Sequence, residues 1–137
     1  MPSAGRCDVV AFDTNVLARV LVGDDPAQTK KAERALLKHA NDDGVFVSLV
    51  VLAELAWVLK AAYRWDRATI HQRLSRLVRT RGVGVEDLEI VENALAAFRA
   101  GPADLADYLI VGKARDIGAT LVTFARRLAR EDGVRLL

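Results

Sequence analysis

The sequence predicts a single α/β domain over residues 1–137, built as a four- to five-stranded parallel sheet with helices on both faces. Three observations carry that prediction. Short apolar, β-branched runs at 9–12, 45–47 and 119–124 read as buried strands. Amphipathic helical stretches lie between them, so the strands are joined by crossovers and run parallel. The chain has 137 residues, 52% hydrophobic and 28% charged, enough to bury a core and too apolar to stay disordered. No repeat, linker or low-complexity segment divides it.

The first strand ends at Asp13. Thr14 and Asn15 follow, either able to cap a helix, and an apolar run begins at Val16. That step puts Asp13 at the carboxyl end of a strand beside a helix N-terminus, the edge where open α/β sheets bind ligands. A helix-stabilising charge is the alternative for the same residue. Gly23-Asp24-Asp25-Pro26 is a turn, and Pro26 suits the start of a second helix over about 27–40, stopped by Asn41-Asp42-Asp43-Gly44. Asp24 and Asp25 read as loop and cap residues, and His39 as a cation near a helix C-terminus.

Val45, Phe46 and Val47 form the second strand, and Ser48 caps a helix expected to reach about Tyr63. Within it Glu54 has Val50, Val51, Trp57 and Val58 as its helical neighbours. A carboxylate in an apolar stripe is costly to bury without a cation or hydrogen bonds, which marks Glu54 as a site residue. A position at the stripe's edge, reaching water, is the alternative. Residues 64–81 are basic. Arg67, Arg73, Arg76 and Arg79 share a helical stripe beside Ile70, Leu74, Leu77 and Val78, with His71 among them. The stripe is either a solvated face or a contact for phosphates or an acidic partner.

Residues 82–85 read as an edge strand or turn, and 86–99 as a helix ended by Gly101-Pro102. The next helix opens with Asp104 and Asp107 on one face and ends at Gly118. Two like charges on one turn repel unless a cation lies between them, and the helix dipole accounts better for Asp104 than for Asp107, which lies farther in. Residues 119–124 read as a central strand, 126–130 as a short basic helix and 134–136 as a final edge strand.

Net charge is only +2, so binding to nucleic acid would have to come from local clusters. Cys7 is the only cysteine, which excludes an internal disulfide and a thiolate metal site and fits a reducing cytoplasm. The apolar stretch from Val45 to Leu59 is interrupted by Ser48 and Glu54 and is short for a bilayer, so no membrane segment is expected. The high apolar share leaves room for a surface reserved for a partner.

Asp13, Glu54 and Asp107 are the acids a parallel sheet could bring to one edge. Oxygen-only ligands without His or Cys suit a hard cation, Mg²⁺ or Mn²⁺. Such an ion serves phosphoryl or phosphodiester chemistry. Thr14, Asn15, Ser48 and Thr123 are the short polar groups expected around it, orienting carboxylates or water.

The order Asp13-Thr14-Asn15-Val16-Leu17, Ser48 through Glu54-Leu55, Asp104-Leu105-Ala106-Asp107-Tyr108-Leu109-Ile110, then Gly118 to Phe124 resembles the motifs of PIN domains. Within that family, length and spacing are similar to VapC-type toxins of bacterial toxin–antitoxin modules. The resemblance covers nearly the whole chain. It implies a PIN-like fold and a Mg²⁺- or Mn²⁺-dependent endoribonuclease, neutralised by a cognate antitoxin and commonly dimeric. It also implies that Asp13, Glu54 and Asp107 are the acidic metal ligands, with Asp104 an additional acid. The chain departs from the pattern at Ala125, where such proteins usually carry a fourth Asp. Losing that acid would weaken a second metal position and impair activity; the intact remainder of the motifs favours an inactivating change over natural variation. A haloacid-dehalogenase-like phosphatase is the alternative enzyme, although Asn15 stands where that class needs a second Asp. A receiver-like binding module is the non-enzymatic alternative.

Overall fold

The computed structural model describes residues 8–137, so Cys7 lies outside the described residues. Five strands form where the β-branched runs fall: β1 (Val10–Ala11), β2 (Val45–Val47), β3 (Val83–Val85), β4 (Leu121–Thr123) and β5 (Val134–Leu136). The helices are α1 (Thr14–Val22), α2 (Pro26–Ala40), α3 (Leu49–Ala61), α4 (Arg67–Val78), α5 (Leu88–Ala100) and α6 (Leu105–Asp116). None of them is long and apolar enough to cross a membrane.

Every strand pair is parallel, as the alternation with helices requires, but the hydrogen bonds divide the strands into two ladders. One is β1-β2-β3, with Val45 in register with Val10 and Val83; the other is β4-β5. The strand expected at the sheet centre therefore pairs only with β5. The reason lies in β1. Val10 and Phe12 both donate their N–H toward the β2 side, to Gly44 and Phe46 at 3.2 Å. With only two residues, β1 is a short edge for any further strand.

Capping fixes the helix starts. Asp13, Asp25, Ser48 and Asp66 each accept an N–H from three residues further on, and Pro26 opens α2. The cap of α1 is thus Asp13, one residue before Thr14 and two before Asn15, the caps expected. The helix after β3 starts two residues late because Glu86 extends the pairing, donating its N–H to Val47 at 3.0 Å, and Asp87 turns the chain in a left-handed conformation, φ 49°. The expected basic helix is a single 3₁₀ turn, Leu128–Arg130. Gly82, φ +85°, brings the lead-in to β3 against the end of α2, where a Cβ would strike the Ala40 carbonyl.

The core is mainly helical. α3 buries Leu52, Leu55, Ala56 and Leu59 and packs against α1, α4 and α6. Leu17, Ile70, Leu74, Leu105 and Val91 complete the cluster around it, with Val45 and Val47 from the sheet.

Two of the four stripe arginines belong to this frame. The Arg67 guanidinium donates to the carbonyls of Phe98 (2.8 Å), Ala103 (2.7 Å) and Pro102 (3.2 Å) and lies 4.3 Å from the Phe98 ring centroid. It therefore holds the turn between α5 and α6 in shape. Arg73 donates to the Leu21 carbonyl at 2.8 Å and lies over Trp65. Arg67→Ala strands three carbonyls and removes a cation–π contact, and is expected to cost about 2–3 kcal/mol in denaturant unfolding. Arg67→Lys is expected to recover only part of that, because a single ammonium cannot span the three acceptors.

Candidate active site

The end of β1 carries the first acid directly into a helix. Asp13 is extended (φ −87°, ψ 176°), and its Oδ1 accepts the Val16 N–H at 3.0 Å. The carboxylate is exposed, and its second oxygen makes no hydrogen bond among the described residues. Thr14, the next residue, is the only buried polar side chain among them, 8% exposed. Its hydroxyl donates to Glu54 Oε1 at 2.9 Å, across 40 residues of sequence. The first two sequence acids are thus linked through the α1 N-terminus: one caps the helix, and the other is held by its first residue.

Glu54 itself is exposed. So are its helical neighbours Val50, at 72%, and Trp57, at 60%. The stripe that made its burial look costly lies at the core's edge, with Val51 and Val58 half-buried, and the face of α3 that enters the core is the one bearing Leu52, Leu55, Ala56 and Leu59. Glu54 instead lies in an open groove of about 550 Å³ between α3 and α6, walled by Val50, Ala53, Trp57, Leu109 and Ile110 and edged by Lys113.

Asp104 and Asp107 stand at the start of α6. Asp107 Oδ2 accepts the Asp104 N–H at 3.1 Å, the reach-back half of a capping box, so its position in the first turn is explained by the backbone it satisfies. Asp104 meets Lys60 Nζ of α3 at 2.9 Å. An N–H and an ammonium therefore each meet one carboxylate of the like-charge pair. α6 packs on α3, and Ala106, next to Asp107, shares the groove with Glu54.

The supporting residues divide. Ser48 Oγ is taken up by the Val51 N–H at 3.2 Å, and Asn15 is exposed in the first turn of α1. Thr123 ends β4, and its Oγ1 accepts the N–H of Ala125 at 3.0 Å. Ala125 is exposed just beyond that strand. One acid at the same edge was not singled out from the sequence: Glu86, whose carboxylate accepts the Leu49 N–H at 2.8 Å and so caps α3 from β3. Its signal is the one that marked Asp13, an acid directly after a short β-branched run.

In kind, this donor set fits a hard divalent cation, because every candidate ligand is a carboxylate. In assembly it does not form a finished centre: among the described residues no three His, Cys, Asp or Glu side chains gather as metal ligands.

Residues 10–134 match the family model of the PIN domain. No curated protein matches the chain. Among solved structures, the chain is similar to a toxin-antitoxin complex from Klebsiella pneumoniae, at 21% identity, covering 93% of this chain and 96% of that one, with a TM-score of 0.38.

The link between Thr14 and Glu54 is open to a direct check. Thr14→Val keeps the volume and removes the donor, and is expected to lower stability by about 1–2 kcal/mol in urea unfolding. Combined with Glu54→Ala, it should add little more, since both remove one interaction; full additivity would mean that the bond contributes nothing.

Proposed function

The chain belongs to the PIN-domain family, and we propose that it is a metal-dependent endoribonuclease, the toxin of a bacterial toxin–antitoxin module. The observation that carries this reading is the family match across residues 10–134. The ordered acids of α1, α3 and α6 support it, since their residue types suit phosphodiester hydrolysis. Family membership also sets aside the phosphatase and the receiver-like module. The protein acts in the cytoplasm in this reading, in keeping with its single cysteine.

Asp13, Glu54 and Asp107 are the proposed ligands of Mg²⁺ or Mn²⁺, with Asp104 beside them. When bound, such an ion supplies Lewis-acid polarisation of a phosphate oxygen and a more acidic water. The chain's own residues do the positioning. Val16 N–H fixes one oxygen of Asp13 and leaves the other for a ligand. The Thr14 hydroxyl holds Glu54 at the start of α1, where the helix dipole favours negative charge. Thr123 holds the backbone at Ala125, the position at which the family usually has its fourth acid. The exposed apolar groove between α3 and α6 supports a protein partner, a cognate antitoxin or a second copy of the chain, because Val50, Trp57 and Ile110 are 72%, 60% and 52% exposed.

The decisive experiment compares cleavage of a structured RNA pool by this chain and by Ala125→Asp, each with Mg²⁺, Mn²⁺ or chelator. Metal-dependent cutting is expected from the variant, at a rate about 10- to 100-fold above the chain with Ala125. Absence of cutting by both, with metal binding retained, would overturn the nuclease. Asp13→Asn is expected to abolish metal binding by calorimetry while leaving the circular dichroism spectrum and melting midpoint near those of the parent.

A further inference from the structure

Arg76 and Arg79, the two stripe arginines that the fold does not use, meet Arg99 of α5 along a second groove. It measures about 570 Å³ and is lined also by Thr69, His71 and Gln72. No carboxylate lines it. Among the described residues, none of the three guanidiniums is within ion-pair distance of an acid, although four other cations are. An adjoining cavity of about 270 Å³ shares His71, Ser75 and Arg79 and is lined also by Glu92, so the first carboxylate along the α4–α5 seam comes only past Arg79.

Three guanidiniums facing one cleft without a counter-charge repel one another and present only donors, five N–H groups each in a planar fork. A ligand that relieves this brings oxygens with negative charge at several points along an extended shape. We propose that this groove binds single-stranded RNA through its phosphodiester backbone, with Arg76, Arg79 and Arg99 on the phosphates and His71 as a planar face for a base. Phosphate and carboxylate both match the guanidinium fork, so charge alone would also admit an acidic peptide. His71 favours the nucleic acid. Burial first, then Arg99 and Arg79, hold its imidazole below the ordinary 6.5, so at neutral pH it adds no charge for a peptide carboxylate. An uncharged ring in a groove lined by guanidiniums is instead the kind of surface on which bases stack, and Gln72 can meet a base edge.

The inference rests on the ribonuclease reading for the identity of its ligand, and on none of the acids for its chemistry. The test is therefore binding without cleavage: fluorescence anisotropy of a labelled single-stranded RNA in excess chelator, over a salt series. Arg76→Gln, Arg79→Gln and Arg99→Gln together are expected to weaken binding at least about tenfold and to flatten the salt slope by about two units, the loss of three phosphate contacts on a single strand. Arg99→Gln alone, the milder change should the triple variant not fold, is expected to flatten it by about 0.7. Lys30→Ala, Lys31→Ala and Lys38→Ala together remove the same charge from the exposed face of α2 and should leave the slope near that of the parent. Equal effects of the two triple variants would overturn the site. So would unchanged RNA binding with lost affinity for a labelled oligoglutamate peptide, which would make the occupant an acidic protein segment. Arginine-dependent RNA binding, with no cleavage by this chain or by Ala125→Asp when metal is bound, would leave the groove standing and remove the nuclease. Cleavage with arginine-independent binding would do the reverse.

Discussion

Burial of one face of α3 is the constraint on which the remainder of the structure depends. Leu52, Leu55 and Leu59 are 1% exposed or less, and the helices they touch are the ones that carry the candidate acids. α1 and α6 both rest on α3, so the helices that bear these acids share one support. Thr14 then converts proximity into attachment, since a buried hydroxyl must find an acceptor and Glu54 supplies it. The same packing turns Val50 and Trp57 outward, so an apolar surface and the acids share an edge.

The arginines of α4 show how one periodic pattern divides into two roles. Arg67 and Arg73 fall where the stripe meets neighbouring elements, and their guanidiniums satisfy carbonyls that the turns leave open. Arg76 and Arg79 fall where α4 and α5 separate enough to leave a groove. Identical side chains at helical spacing thus become structural or available according to what the next helix presents. A stripe in the sequence reports a shared face and says nothing of its neighbour.

That limit explains what was legible from the residues. Strands at Val45–Val47 and Val83–Val85, the Ser48 cap and the Pro26 start were readable because each depends on local chemistry. The ordered acids were readable as candidates for the same reason. The exposure of Glu54 was not, because α3 is apolar on almost every side and its sequence does not say which stripe enters the core. Nor was the division of the sheet, because β1 is only two residues long and the sequence does not say where its pairing stops. The capping role of Asp107 was hidden by a sound argument about like charges that lacked Lys60, which meets Asp104 across 44 residues. Glu86 was passed over although its local signal equalled that of Asp13.

Arg67 ties the turn before α6 to carbonyls that are synthesised after it. On a ribosome, chains grow from the N-terminus, and domains fold as their later segments emerge. A nascent chain that has reached α4 already holds Asp13 and Glu54 but has no α5–α6 turn for the guanidinium to close. Placement of Asp104 and Asp107 at the start of α6 is therefore a late event of vectorial folding. The order of elements along the chain delays closure of this turn until most of the protein has been made.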